Sequence, residues 1–254
     1  MHEDGQKNPM RAARANMRPE PVRRFYKTVE VRANDGRHAL TLDGRDALTP
    51  GRNRLAAASR PLMLAVAEEW ARQGETLDPA DMPMTRLLNA AIDGVAKTME
   101  ETRDEIVRYA GSDLVCYRAE APETLAERQR LAFDPVLDWA AEALGARFVL
   151  TAGVMPVTQP PETLAAIREA VDRFDDPAAL AALSAMTALT GSAALALATA
   201  YGFLTPPDAW RAAHVDEDFQ NELWGVDEEA AARRAARWRE MEAAAAIFRL
   251  QNED

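Results

Sequence analysis

Between Asp176 and Asp208 the chain carries no charged residue. Thirty-one residues could cross a bilayer on length alone. Composition argues for a different outcome. Alanine is the commonest residue of the run, its leucines are spaced (Leu180, Leu183, Leu189, Leu195, Leu197), and Ser184, Thr187, Thr190, Ser192 and Thr199 interrupt it. Alanine gains little from lipid, and Gly191 with Pro206 and Pro207 breaks the helical pattern. The run therefore predicts two buried helices that meet near Thr190-Gly191-Ser192, with small side chains that let neighbouring helices approach closely. This hairpin would be the centre of a helical domain, with no membrane insertion.

The other segments are arranged around that centre. Residues 1–21 are polar, with Pro9, Pro19 and Pro21, and read as a flexible N-terminal tail. Phe25, Val29 and Val31 alternate with polar residues. Asn34-Asp35-Gly36 and Asp43-Gly44 are hairpin turns flanking His38–Leu42, and Asp46–Leu48 offers a third strand. Ser59 caps a helix with Pro61 in its first turn and Leu62, Val66 and Trp70 on one face. Residues 22–78 thus predict a β-rich N-terminal domain with one helix, and residues 79–254 an α-helical domain. The fold class is α+β, a small antiparallel β-rich domain followed by a larger, mostly helical one.

Within the helical part, Thr85 is expected to cap one long helix. Its inward residues are Leu88, Ala91, Ile92, Val95, Met99, Ile106 and Tyr109, and Gly111 ends it. Asp113–Tyr117 and Arg147–Leu150 are strand-compatible. A helix from Glu123 should break at Asp134-Pro135 and restart with Asp134 as its cap. Trp70, Trp139 and Trp238 read as core, and Cys116 as a small buried hydrophobe.

Chemistry is sparse. The chain has one cysteine, three histidines (His2, His38, His214) and three lysines (Lys7, Lys27, Lys97). That leaves no disulfide or zinc module. A phosphate-cradling Gly-Lys-Ser/Thr, a dinucleotide turn, a His-Glu-x-x-His pair and a Gly-x-Ser-x-Gly elbow are all missing. The histidines read as surface or helix-face residues. No catalytic residue, metal ligand or cofactor site is expected. With 30 Lys and Arg against 41 Asp and Glu the net charge is −11, so nucleic-acid binding would need a local basic patch. A small carboxylate enzyme remains the alternative, with Arg86 as an anion clamp beside Asp93. The plainer reading pairs Arg86 with a nearby carboxylate or carbonyl and makes Asp93 a contact between domains.

The last two helices carry the sharpest charge pattern. From Asp216 to Glu229 there are seven acids and no base, and Arg233, Arg234, Arg237 and Arg239 follow. Ala212, Val215, Phe219 and Leu223 should face inward, with Ala231, Ala235, Trp238, Met241, Ala245 and Phe248 on the final helix. Glu217, Gln220 and Trp224 then share a different face. Such a run is either a solvated face or a recognition surface. An aromatic among polar groups favours recognition.

Three stretches together resemble a known family. They are Pro83-Met84-Thr85-Arg86-Leu87 continuing through Asn89 and Asp93, then Asp113-Leu114-Val115-Cys116-Tyr117-Arg118, then Glu217 with Gln220 and Trp224-Gly225. Leu42-Asp43-Gly44-Arg45, Glu69-Trp70 with Gln73, Asp134-Pro135 and Thr190-Gly191-Ser192 support them in order. The set is similar to the F-type ATP synthase assembly chaperones that bind the alpha subunit, over about residues 25–248. Where that family tends to have Trp-Asp-Pro, this chain has Phe133-Asp134-Pro135. The resemblance implies a chaperone rather than an enzyme, acting as a monomer. Its partner would be the free alpha subunit, with no nucleic acid. It also implies client contacts at Glu217, Gln220, Trp224 and Asp227. With no secretory signal, the expected compartment is the bacterial cytoplasm, or the mitochondrial matrix in a eukaryote.

Overall fold

The structure is a computed structural model that describes residues 22–153 and 155–251. The tail expected over 1–21 lies outside the described residues. Two Asp-Gly turns shape the N-terminal sheet. Asp35 and Gly36 both take positive φ (50° and 74°), as do Asp43 and Gly44 (48° and 79°), which is the two-residue geometry whose twist matches paired strands. They connect β1 (Val29–Asn34), β2 (Arg37–Leu42) and the short β3 (Arg45–Asp46). β1 runs antiparallel to β2, Val29 opposite Leu42, and β2 also pairs β3 and β4 (Ala56–Ala57). Phe25 lies outside β1 and is exposed.

Leu40 and Leu42 bring the sheet onto α1 (Arg60–Ala71), whose Leu62, Met63 and Val66 are fully buried. Ser59 caps α1 as expected, its Oγ accepting from the Leu62 amide at 3.2 Å. The same hydroxyl donates to the Leu250 carbonyl at 2.6 Å, tying the first helix to the end of the last.

The helix expected over 85–111 is two helices, α2 (Pro83–Asp93) and α3 (Met99–Ala110), joined by a tight turn at Val95–Lys97. Gly94 ends α2, and the Asp93 carboxylate is held outside it by the 49–53 turn: Thr49 Oγ1 at 2.6 Å, the Gly51 amide at 2.7 Å and Asn53 Nδ2 at 2.7 Å. Thr85 is not a cap. The cap comes from α1: Glu69 accepts from the Met84 and Thr85 amides, both at 2.8 Å, and from Thr85 Oγ1 at 2.7 Å. These are donors that a helix start leaves unpaired. Burial raises the Glu69 carboxyl pKa and these hydrogen bonds oppose the rise.

Leu114–Cys116 form a short 3-10 turn instead of a strand. Tyr117–Arg118 (β5) then pairs in parallel with Thr151–Ala152 (β6), just beyond the expected 147–150 strand. Helix α4 (Glu123–Trp139) passes through Pro135 without stopping. Asp134, expected as a cap, pairs with Arg118 at 2.9 Å. Proline removes one helical N–H, and the carbonyl it deprives belongs to Leu131, an exposed residue.

Helices α5 (Pro161–Asp172), α6 (Pro177–Thr190) and α7 (Ala193–Ala200) follow. The uncharged run is the expected hairpin. Gly191 takes φ 70° at the bend, and Ser192 Oγ accepts from the Leu195 amide at 3.0 Å. Leu180, Leu183, Met186, Leu195 and Leu197 are fully buried, and α6 packs against α2, α3, α7 and the last helix. No helix among the described residues is long and apolar enough to cross a membrane. Asp113, fully buried, braces the bend by accepting from the Val115 amide at 3.2 Å and the Ala194 amide at 3.0 Å. Trp70, Trp139 and Trp238 are half-buried against the core, and Cys116 is fully buried.

Candidate partner-binding site

After α8 (Pro206–Ala213), the acidic run folds as α9 (Val215–Trp224) and leads into α10 (Glu228–Gln251). His214, between α8 and α9, is buried rather than on the surface. Its Nδ1 lies 2.8 Å from the Trp210 carbonyl oxygen and its ring 4.0 Å from the Trp210 ring. Burial pulls its pKa below the usual histidine range.

Phe219 is the buried side chain of α9. Around it the acids are clamped by neighbouring helices. Asp216 accepts from Gln129 Nε2 at 2.7 Å. Glu222 takes both guanidinium nitrogens of Arg128, at 2.8 and 2.7 Å. That pairing lowers the Glu222 carboxyl pKa, while the Arg128 guanidinium also lies over the Phe219 ring at 5.2 Å. Asp218 pairs with Arg234, whose Nη1 is also 3.7 Å from Glu217. Most of the acidic charge therefore fixes α9 to α4 and α10.

The clamped helix carries an uncovered tip. Leu223, expected to face inward, is 60% exposed, Trp224 is 86% exposed and Val226 is 65% exposed. Glu222 ties even the last turn to α4 through Arg128, yet Leu223 and Trp224 beside it stay exposed. Gly225 has φ 88° and ψ 164°, a conformation suited to glycine, and it turns the chain sharply between the two helices. Asp227 then starts α10, its Oδ1 accepting from the Glu229 amide at 2.8 Å and the Ala230 amide at 3.2 Å. The inward stripe expected on α10 is also shifted. Ala231 and Ala235 are exposed, and Met241, Ala243, Ala244, Ile247 and Leu250 are the buried residues.

Of the four residues singled out above, Gln220 and Trp224 are exposed, Glu217 is half-buried beside Arg234, and Asp227 serves as the cap of α10. Sequence reasoning missed Leu223, Val226 and the clamping arginines Arg128 and Arg234. The available signal was the run Leu223-Trp224-Gly225-Val226, an apolar cluster at a helix break. Arg86 and Asp93 do not form a joint site. Arg86 pairs with Glu240 at 3.1 Å, and Asp93 is occupied by the 49–53 turn. Among the described residues no cluster of His, Cys, Asp or Glu could hold a metal ion. Burial pushes the Cys116 thiol up to about 12, far from a reactive thiolate.

Residues 23–141 match the family described as ATP12 chaperone protein. The crystal structure of Atp12 from Paracoccus denitrificans superposes with a TM-score of 0.85 at 40% identity, covering 91% of this chain and 99% of that one. The chain belongs to the ATP12 chaperone family. The Atu1473 protein of Agrobacterium tumefaciens is 45% identical with a TM-score of 0.89, over 98% of this chain and 93% of that one. The mitochondrial protein atp12 of Schizosaccharomyces pombe is 25% identical over 228 residues, 84% of this chain and 77% of that protein. ATP12 membership makes the chain an assembly chaperone and gives the exposed tip a context. A protein that works by contact must keep some apolar surface uncovered.

Proposed function

We propose that this ATP12-family protein binds the free alpha subunit of F-type ATP synthase and covers the surface that later pairs with beta. A free subunit exposes that surface, and exposed apolar area is an aggregation hazard. The cover has to come off when beta arrives, which calls for a moderate, partly polar interface. The observation that carries the reading is the tip. Leu223, Trp224 and Val226 stand exposed at the end of a helix that Arg128 and Arg234 hold in place. Trp224 is the anchor, Leu223 and Val226 flank it, and Gln220 and Glu217 form the polar rim. Asp227 contributes by setting the start of α10. This acidic surface fits a basic patch on the client.

Arg86 and Asp93 already hold structural partners, which supports a binding role over turnover. The chain acts as a monomer, without cofactor or nucleic acid. Bacterial relatives at 40–45% identity, against 25% for the mitochondrial one, support a bacterial cytoplasm as its compartment.

The test is biolayer interferometry with the chain immobilised and purified alpha, beta or assembled hexamer in solution. The reading expects binding to free alpha alone. A folded chain that ignores free alpha overturns it.

A further inference from the structure

Charge is divided unevenly along the chain. Residues 22–60 hold nine Lys or Arg and four Asp or Glu, whereas residues 61–254 hold seventeen and thirty-four. The β-sheet region is a basic surface on an acidic molecule. On it, a groove lined by Arg23, Arg24, Tyr26 and Lys27 adjoins a pocket of about 600 Å³ walled by Phe25, Leu42, Leu48 and Trp70. Tyr26 lines both. Its ring lies 5.4 Å from Phe25 and 5.6 Å from Trp70, so the shared wall is aromatic and well packed. Phe25 is 67% exposed and Leu48 54% exposed at the rim.

The charges around this pocket are not equally available. Asp43 already accepts from the Lys27 and Thr28 amides, at 2.9 and 2.8 Å, and Asp46 pairs with Arg54 at 2.9 Å. Arg24 is occupied by the carbonyls of Tyr26, Ala71 and Gln73. Arg23 and Lys27 are exposed and make no ion pair among the described residues. Arg45 at the pocket is likewise exposed without an ion pair, and Glu75 is the one such acid in the groove, so the face presents three available cations against one acid beside an aromatic pocket.

We propose that this face is a second docking surface for the client, taking an acidic segment of the alpha subunit that carries one bulky apolar side chain. Its carboxylates meet Arg23 and Lys27, and the apolar group enters between Phe25 and Leu48. The inference rests on the client proposed above. Charge complementarity selects the occupant, and the apolar pocket walls distinguish it from a plain polyanion. A long nucleic acid would also meet the strongly acidic remainder of the chain. With an acidic tip at α9–α10 and a basic face on the sheet, the grip is bipartite. Each contact can then be weak and displaceable while the pair holds.

The scarcity of lysine makes the test clean. A carbodiimide joins a carboxylate to an amine in direct contact, and the chain offers only Lys7, Lys27 and Lys97 as side-chain amines. In the complex with purified alpha, mass spectrometry is expected to find Lys27 joined to an Asp or Glu of the client. Lys27→Arg, which keeps the charge but removes the amine, should abolish that product. The double variant Arg23→Glu, Lys27→Glu and the single variant Leu48→Ser should each weaken alpha binding about tenfold with unchanged thermal melting. Wild-type affinity in both variants, with no Lys27 product, overturns this surface and leaves the proposed function standing. No complex with wild-type chain overturns both. Binding of a single-stranded RNA 20-mer that is lost in the double variant assigns the face to nucleic acid and also overturns the proposal.

Discussion

The α6–α7 hairpin and the α9–α10 tip are both bends flanked by apolar residues, and they meet water in opposite ways. At the hairpin, Leu183, Met186 and Leu195 are fully buried and even Thr187 and Thr190 satisfy their hydroxyls on carbonyls one turn back. At the tip, Leu223, Trp224 and Val226 remain exposed although buried Trp210 lies only one short helix away. The hairpin spends its apolar surface on holding the fold. The tip withholds it, and ion pairs to Arg128 and Arg234 keep the helix in position while it does so. Uncovered apolar area on a well-anchored element is the arrangement expected of a surface meant for another protein.

Substitutions should separate the two bends. The largest effect is expected inside. Leu183→Ala should cost about 2–5 kcal/mol of stability by leaving a cavity among tightly packed small side chains, measured by urea denaturation.

Next comes the brace at the hairpin. Burial raises the Asp113 carboxyl pKa from an ordinary 3.8 to about 6. The folded state therefore holds this proton more tightly than the unfolded state. The contribution is complete below about pH 4 and falls as pH rises to about 6, by about 3 kcal/mol in all. Denaturation midpoints across that range should show the slope, and Asp113→Asn should remove it. An unchanged slope in the variant would assign the pH dependence to other groups.

At the tip the effect should move from stability to binding. Trp224→Ala should leave stability within about 0.5 kcal/mol of wild type. It should weaken alpha binding by about 2 kcal/mol, roughly thirtyfold, in biolayer interferometry. The smallest effect is expected at the clamp. Arg128→Ala removes an exposed bidentate pair, so thermal melting should barely move, with a similarly small loss of client affinity from a looser tip. If Trp224→Ala destabilises the chain as much as Leu183→Ala does, the distinction between the two bends is wrong.

The same contrast explains what the sequence made legible. The hairpin could be read because composition and break residues agree over a long run, and the Asp-Gly turns could be read because their backbone demand is local. The errors fall where distant residues override local preference. Gly94 ends a helix whose apolar periodicity continues, and the Asp93 carboxylate beside it is held by Thr49, Gly51 and Asn53 from the sheet region. Pro135 fails to end one, and the carbonyl it leaves without an N–H belongs to exposed Leu131. Thr85 looked like a cap while the real cap, Glu69, arrives from the preceding helix. At the site, helical spacing put Leu223 inward, but periodicity describes a helix and says nothing of where the body beneath it stops. Glu217, Gln220 and Trp224 were visible as a polar face with one aromatic. The clamp by Arg128 required knowing that α4 and α9 are neighbours.

The central claim is that the chain covers the surface of alpha to which beta binds. The direct measurement is a competition. The complex of chain and free alpha is formed, purified beta is added, and the species are followed by native mass spectrometry. The account predicts that the chain is released as alpha–beta pairs appear. A stable ternary complex, with chain, alpha and beta bound together, would contradict it.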